Sequence, residues 1–500
     1  MTSPTLVSPL AGDGVPDEHL PGRRVAVPPS LVDALRSTGA AVSTEPAARA
    51  ESSRDWWPVT IGWAATGAVG ALAGAVVRPT TTEQVSAVLS LCHAADVPVT
   101  PAAGRSGVCG GSIPLAGGIS LDLTGLDAIV DVDETSLTLT VEAGVFGPDL
   151  ERHLAGVSSG YTLGHWPQSM DLSTVGGWLA CRGAGQYSTR YGKIEDMVRG
   201  LTVVLADGTV IETEGTGPRA ATGPNLTQLF VGSEGTLGVI TRATLAIHPI
   251  APAEQRAAFS FATFDEGLDA CRRILRRGAT PAVLRLYDAR ESQRNFDVDG
   301  NVLIVLDEAD PAIVEATMGI VSEECATAAP LDVALVERWI GHRNDVSALR
   351  PLWESGVVVD TIEMAGPWAS LPEVTRTIIA ALQSVPGTIV ASVHQSHAYL
   401  DGACLYFTFA GRTPDRPDEP DAARDADDAY YRDCWAAATE AIERSGSAIS
   451  HHHGVGLNRS RFMAGAIGSA FSTLRAIKAA LDPKAILNPG KLGLGDSEAW

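Results

Sequence analysis

A chain of 500 residues with 45% hydrophobic residues has the length for two or three domains and the apolar content for large buried cores. Asp and Glu number 59 against 37 Lys and Arg, so the net charge of -22 repels nucleic acid as a whole, while local basic pockets for a phosphate remain allowed. The seven cysteines are odd in number and none forms Cys-x-x-Cys, which excludes a disulfide framework or zinc site and fits reduced thiols in the cytoplasm.

The N-terminal segment holds Asp13, Asp17 and Glu18 and lacks the apolar core of a signal peptide. The longest apolar-looking run, 63–77, is broken by glycines and is too short to span a bilayer. The C-terminal Ser497-Glu-Ala-Trp500 is not a peroxisomal address. The expectation is a soluble, cytoplasmic protein.

Residues 1 to about 25 mix Pro, Gly and charge and read as a loose tail. A short helix begins at 31–35, and Arg54-Asp-Trp-Trp57 is an aromatic cluster that packs against the main body. Residues 75–78 form a strand closed by Pro79, and Thr81-Thr-Glu-Gln84 starts a helix running to about 95. A strand at 97–101 leads into a loop of small residues at 102–111, and 119–123 alternates as a strand. A strand pair at 129–132 and 136–141 precedes a helix at 146–154. Residues 201–211 form a hairpin around Asp207-Gly208, and separate strands at 239–241 and 244–247 close an α+β region.

From about 257 the pattern changes. Strands are expected at 257–261, 282–287, 301–306, 389–394 and 404–409, with helices at 265–277, 311–324 and 372–384, giving a second sheet covered by helices. The stretch 411–433 is rich in Asp and Pro and reads as a solvated linker that merges into a helix ending at 444. A last helix is expected at 469–481.

Three segments carry ligand chemistry. The stretch 162–180 is short on charge and dense in Gly, Ser and Thr, with Gly176 and Gly177 adjacent, so its backbone N–H groups can approach a ligand closely. Pro101-Ala-Ala-Gly-Arg-Ser-Gly107 continues to Gly111 after a strand and could nest a diphosphate; alone it reads equally as an ordinary turn. Gly232-Ser-Glu-Gly-Thr-Leu-Gly238 approaches a strand and alone reads as a packing corner. All three lie at strand edges, and a long dinucleotide gripped by several loops explains them together.

Farther on, His451, His452 and His453 are consecutive, so they cannot all face one metal; one or two of them can exchange protons in a cleft. Tyr406 lies in a strand, and Arg285 interrupts an apolar strand where it needs an acid or a substrate anion. Cys181 and Cys404 read as inert buried thiols.

In this order, Gly164-His-Trp-Pro-Gln-Ser169, Leu172-Ser-Thr-Val-Gly-Gly-Trp178, Tyr191-Gly-Lys-Ile-Glu-Asp196, Gly232-Ser-Glu-Gly-Thr-Leu-Gly-Val-Ile-Thr241, Gly402-Ala-Cys-Leu-Tyr-Phe407 and Ser450-His-His-His-Gly-Val-Gly456 resemble a known superfamily. It is the FAD-dependent vanillyl-alcohol oxidase/p-cresol methylhydroxylase superfamily. The triple histidine with Tyr406 is similar to the alkyldihydroxyacetonephosphate synthase (alkylglycerone-phosphate synthase) branch.

The resemblance implies an α+β fold with a two-part FAD-binding domain and an α/β substrate cap. Residues 1–50 would be an N-terminal tail and helix, 51–250 the FAD-binding domain, 251–445 the cap, and 446–500 a segment returning to the FAD site. It implies noncovalent FAD, with its diphosphate held by Pro101, Ala102, Ala103, Gly104, Arg105, Ser106 and Gly107. Pro167, Gln168, Ser169, Asp171, Ser173, Thr174, Gly176 and Gly177 would form the second loop on the cofactor, with Tyr191 and Gly192 beyond it. Glu234, Gly235, Gly238, Val239 and Ile240 would line the isoalloxazine and adenine side.

Tyr406, His452 and His453, with His451 beside them, would be acid/base groups, Arg285 would anchor or polarise the substrate, and no metal is expected. The implied reaction exchanges the acyl group of an acyl-dihydroxyacetone-phosphate-like substrate for an alkyl group through an adduct at flavin N5. The implied partners are a small molecule, a phosphorylated ketone or lipid, with peripheral membrane contact and a homodimer.

One alternative is an FAD-dependent 2-hydroxy acid dehydrogenase. That branch uses a metal held by His-x-x-x-x-x-x-His and a Glu before His-Gly-x-Gly. Here His397 fits the first position, and Tyr406 and His452 replace the other ligands. Another is a non-catalytic flavin-binding protein.

Overall fold

The computed structural model describes residues 10, 15–213, 217–345, 349–495 and 500. The first part of the expected tail and Ser497 to Ala499 lie outside the described residues. The described tail is not loose. Asp17–Glu18 pairs in parallel with Ala68–Val69, Leu20 is buried, and Val25 bridges Gly117. The aromatic cluster buries Trp57 and Trp63 completely, with ring centroids 5.4 Å apart, and the terminal Trp500 lies 4.9 Å from Trp57.

A four-stranded sheet runs in the order Ala41–Ser43, Ala75–Arg78, Ile119–Asp122, Val99–Ala102. The last three are parallel, which requires a crossover, and helix Thr82–Ala94 supplies it. Thr81 caps that helix by accepting from the Gln84 N–H, and Val85, Val88, Leu89 and Cys92 form its buried face. The small-residue loop leaves the C-terminal end of strand Val99–Ala102.

A five-stranded antiparallel sheet has the order Val210–Glu212, Val198–Val204, Val239–Ala246, Thr138–Glu142, Ile129–Asp133. The two strands expected at 239–241 and 244–247 are one. Arg242 and Ala243 pair with Glu142 and Val141 on one side and with Thr202 and Leu201 on the other, so the ladder continues through the apparent break. Arg242 interrupts the apolar run only because side chains alternate across the sheet.

The third sheet has seven strands, every pair antiparallel, in the order Ala329–Leu331, Ala253–Phe261, Asn301–Ala309, Val283–Tyr287, Thr388–Ala398, Gly402–Gly411, Val358–Pro367. Leu284, Leu286, Leu405, Phe407 and Phe409 share one core with Leu268, Val314, Ile378 and Trp435 of the covering helices Phe264–Arg276, Pro311–Glu324, Leu371–Ser384 and Pro420–Arg444. The period of two then turns Arg285 and Tyr406 to the opposite face. On that face Val283, Tyr287 and Ile304 share a second core with Tyr187 and Trp339.

In the acidic stretch 411–433, residues 414–422 are exposed, as a solvated segment requires, and helix Pro420–Arg444 takes up the later part. Asp427 is buried and accepts from Thr413 Oγ1 and Arg416, while Asp428 accepts from Trp63 Nε1 at 3.0 Å and pairs with His19. The chain end runs back to the first two sheets. The Val99 N–H donates to Ile486 O, the Asn488 N–H donates to Val99 O, and Lys478 Nζ reaches Thr236 O at 2.7 Å.

Candidate active site

A cleft with about 1720 Å³ of open space, counted out into solvent, lies where these parts meet. Every expected residue from Pro101 to Gly107 lines it, as do Pro167, Gln168, Ser169, Asp171, Ser173, Thr174, Gly176 and Gly177. Glu234, Gly235, Gly238, Val239 and Ile240 line it too, and Tyr406, His452 and His453 close it from the other side.

The loops meet through close backbone approaches. A Cβ on Gly104 would stand 2.1 Å from Leu172 O, so the first loop can touch the second only as glycine. Gly104→Ala is expected to lower cofactor retention by about tenfold or more, equivalent to about 1.4 kcal/mol; flavin absorbance per protein after gel filtration measures it. Thr174 starts helix Val175–Cys181 and accepts from the Gly177 N–H. The Glu234 side chain does not point to the cleft as a simple ligand. It accepts from the Val455 and Gly456 N–H groups at 2.5 and 2.8 Å and so pins the C-terminal segment against the cleft.

Two expected cofactor residues fall elsewhere. Tyr191 and Gly192 do not line this cleft. The Tyr191 ring fills the space left by Gly164, its hydroxyl donates to Glu308 Oε1 at 2.6 Å, and Gly192 lies against Asp196. Tyr191 thus ties the first half of the chain to the seven-stranded sheet.

The Tyr406 hydroxyl lies 2.8 Å from His452 Nε2 and 2.6 Å from His453 Nε2. Burial pushes His451 and His452 down to about 3 and His453 to about 4, so all three are neutral imidazoles near neutral pH. Burial also pushes Tyr406 well above its ordinary range, so its phenol stays protonated. Near neutral pH these groups are therefore neutral hydrogen-bond donors and acceptors.

Arg285 and His451 do not line the cleft. Arg285 donates to His394 Nε2 at 2.7 Å and lies over the rings of Tyr287 and Trp339. His394 stacks on Tyr406 with centroids 4.9 Å apart and planes 10° apart, so Arg285 reaches the site through His394. His451 sits behind His452, Nδ1 to Nδ1 at 2.8 Å, and stacks on His397.

Ligand atoms of His397, His451 and His452 lie within 4.8 Å of one another. Hydrogen bonds already engage both nitrogens of His451 and of His452, and Nδ1 of His397. The seventh residue after His397 is Cys404, so the second position of the His-x-x-x-x-x-x-His spacing falls on a thiol and not on Tyr406.

Reasoning from sequence passed over Glu363, His394 and Glu291. Glu363 is fully buried and accepts from Arg459 Nη1 at 2.9 Å, Ser450 Oγ at 2.8 Å, and the His451 and His453 N–H groups. Burial alone would raise its carboxyl, but Arg459 and the three histidines hold it well below the usual carboxylate range. Glu291 accepts from Ser392 and Thr408 and bonds His394 Nδ1 at 2.7 Å. The available signal was the one that singled out Arg285, a charge inside an apolar strand, and Glu363 shows it equally. His165 is buried in the cleft wall with neither ring nitrogen partnered.

Fold and cleft together bring the two sheets of the first half and the seven-stranded sheet of the second around one cleft. Residues 73–214 match the model of the FAD binding domain, and residues 250–492 match that of the C-terminal domain of FAD linked oxidases. An uncharacterized FAD-linked oxidoreductase of Escherichia coli (strain K12) is 33% identical over 84% of this chain and 88% of its own. Alkyldihydroxyacetonephosphate synthase of Dictyostelium discoideum is 30% identical over 83% of this chain and 72% of its own. A glycolate oxidase subunit of Bacillus subtilis (strain 168) is 28% identical over 85% of this chain and 89% of its own. A solved structure of an alkyldihydroxyacetonephosphate synthase superposes with a TM-score of 0.77 at 25% identity, covering 98% of this chain and 89% of that one. The chain belongs to the family of FAD-linked oxidases, and FAD is its cofactor.

The residues present fit FAD. A Cβ on Gly111 would meet no atom within 4 Å, and one on Gly107 only Asp55 Oδ2 at 3.9 Å, so both glycines leave their side of the cleft open. The buried Asn488 Oδ1 and both His165 nitrogens have no protein partner, and both residues line the cleft. Among the described residues, no helix is long and apolar enough to cross a membrane.

Proposed function

We propose that this FAD-dependent enzyme is an alkylglycerone-phosphate synthase-like transferase, which exchanges the acyl group of an acyl-dihydroxyacetone-phosphate-like substrate for an alkyl group. The observation that carries this reading is the Tyr406 hydroxyl, held on the cleft wall between two neutral histidine nitrogens. Bound FAD, noncovalent in this reading, supplies an electron-accepting ring. The chain's part is proton handling. Tyr406 receives a proton at its oxygen from the carbon beside the ketone and passes its own to His452 or His453. His394, fixed by Glu291 and Arg285, holds the Tyr406 ring in place through its stacking contact.

A second reading, a 2-hydroxy acid dehydrogenase, is favoured by the similarity to the glycolate oxidase subunit. Two assays separate them. The purified flavoprotein is expected to convert acyl-dihydroxyacetone phosphate and a fatty alcohol into the ether-linked product, and to keep its flavin colour when mixed anaerobically with D-2-hydroxy acids. Rapid bleaching by a D-2-hydroxy acid, without ether formation, rejects the transferase.

A further inference from the structure

Beyond Tyr406 the hydrogen bonds do not stop. His452 Nε2 takes the Tyr406 hydroxyl, and its Nδ1 lies 2.8 Å from His451 Nδ1. His451 Nε2 lies 3.0 Å from the Tyr399 hydroxyl. From Tyr399 a branch continues to Ser188 Oγ at 3.1 Å and on to His397 Nδ1 at 2.9 Å. Tyr399 is half-buried, Lys193 Nζ sits 4.9 Å from its ring centroid with a side chain 28% exposed, and Leu400 beside it is 67% exposed. The row therefore starts in the cleft and ends on a half-buried tyrosine that adjoins the exposed Leu400.

Every member is a phenol, a hydroxyl or an imidazole, each able to donate at one position while accepting at another. The row closes consistently in both directions. If Tyr406 donates to His452 Nε2, then His452 Nδ1–H donates to His451 Nδ1, and His451 Nε2–H donates to the Tyr399 oxygen. If His452 Nε2–H donates to Tyr406 instead, each later bond reverses and no donor or acceptor is stranded. A row that holds either polarity can move a proton from end to end by switching from one to the other. A fixed structural network has no need of this property.

We propose that Tyr406, His452, His451 and Tyr399 form a proton relay that carries the substrate proton from the cleft to solvent, with Tyr399 as its outlet. This rests on the proton-abstracting reading of Tyr406 above. One proton joins the Tyr406 oxygen as the phenolic proton passes to His452 Nε2. The Nδ1 proton of His452 passes to His451 Nδ1, the Nε2 proton of His451 passes to the Tyr399 oxygen, and the Tyr399 proton leaves to water. One proton enters, one leaves, no electron moves, and both rings end as their other neutral tautomers. His453, His394, His397, Glu363, Arg459, Arg285, Cys404, Lys193, Glu195 and Asp196 are the charged or titratable groups that face the row, and in this proposal they take no proton from it.

Tyr399→Phe keeps the ring and removes only the hydroxyl. In the FAD-loaded full chain, acyl-dihydroxyacetone phosphate in deuterium oxide is expected to gain deuterium beside its ketone about tenfold more slowly than with wild type. FAD content and KM should be unchanged, and added imidazole should restore part of the rate. Exchange at the wild-type rate overturns the relay. A second readout needs no substrate. Nuclear resonance of isotope-labelled histidine nitrogens is expected to show His451 and His452 as tautomer mixtures in wild type and as single tautomers in Tyr399→Phe. Identical single tautomers in both proteins overturn the relay, as does a stoichiometric metal ion bound to His397, His451 and His452. If wild type exchanges no deuterium at all, the proposed reaction fails, and the tautomer signals still decide the relay.

Discussion

Tyr406→Phe is expected to lower kcat by about 10²- to 10⁴-fold, the usual contribution of a positioned acid/base group, while FAD stays bound. The change is well defined because packing at Tyr406 does not depend on its oxygen. The ring is 7% exposed and stacks on His394 at 4.9 Å, and phenylalanine keeps that contact. What disappears is the hydroxyl within reach of both His452 Nε2 and His453 Nε2. Two buried nitrogens then lose a partner, and a stability cost of about 1–3 kcal/mol follows. That cost is too small to unfold the chain, so activity and stability can be read separately. Steady-state kinetics beside thermal melts makes the measurement. Full turnover by Tyr406→Phe would remove the phenol from the chemistry.

The cofactor side of this protein is far more legible in sequence than the substrate side, for a physical reason. A loop that must bring backbone N–H groups to a ligand needs small residues, and those residues are neighbours in the chain. Gly104, Gly176 and Gly177 announce themselves locally, and the cleft forms where they meet. Arg285 shows the opposite case. Its place in an apolar strand signals a need for a partner, but the partner is His394, supplied by a strand about a hundred residues later. Which side chain meets Arg285 depends on the register between its strand and the later one, Leu286 opposite Gln395 and Tyr287 opposite His394, and no local pattern encodes it. Tyr191 misleads in the other direction. It is contiguous with a cofactor-like motif, yet its ring turns away to Gly164 and Glu308. The acidic run before Arg444 reads as solvated because charge was counted without period, whereas Ala423, Asp427, Tyr430, Tyr431 and Cys434 recur at helical spacing and are buried.

Glu363→Ala is expected to destabilise the protein by about 3–5 kcal/mol, the usual cost of removing one partner of a buried ion pair. Both Glu363 and Arg459 are 0% exposed, and Arg459 Nη1 also donates to Ser450 Oγ and Gly454 O while its guanidinium lies 4.9 Å from the Trp435 ring centroid. Alanine would leave that charge without a carboxylate. It would also release the His451 and His453 N–H groups, so the segment bearing the histidines loses its anchor and turnover falls with stability. Two further variants separate charge from packing. Glu363→Leu combined with Arg459→Met removes both charges and is expected to recover more than half of the lost stability, because a buried pair exchanged for apolar residues is often neutral. Glu363→Gln keeps the shape and reports on ionisation. The folded carboxyl is held well below its ordinary 4.5, so its stabilisation is fully present above that value and is lost as pH falls toward the folded value. The gap between wild type and Glu363→Gln should therefore hold from neutral pH down to about 4.5 and narrow only below it. Urea unfolding across that range measures the gap, and one that closes between pH 7 and 5 would contradict a carboxylate stabilised by Arg459.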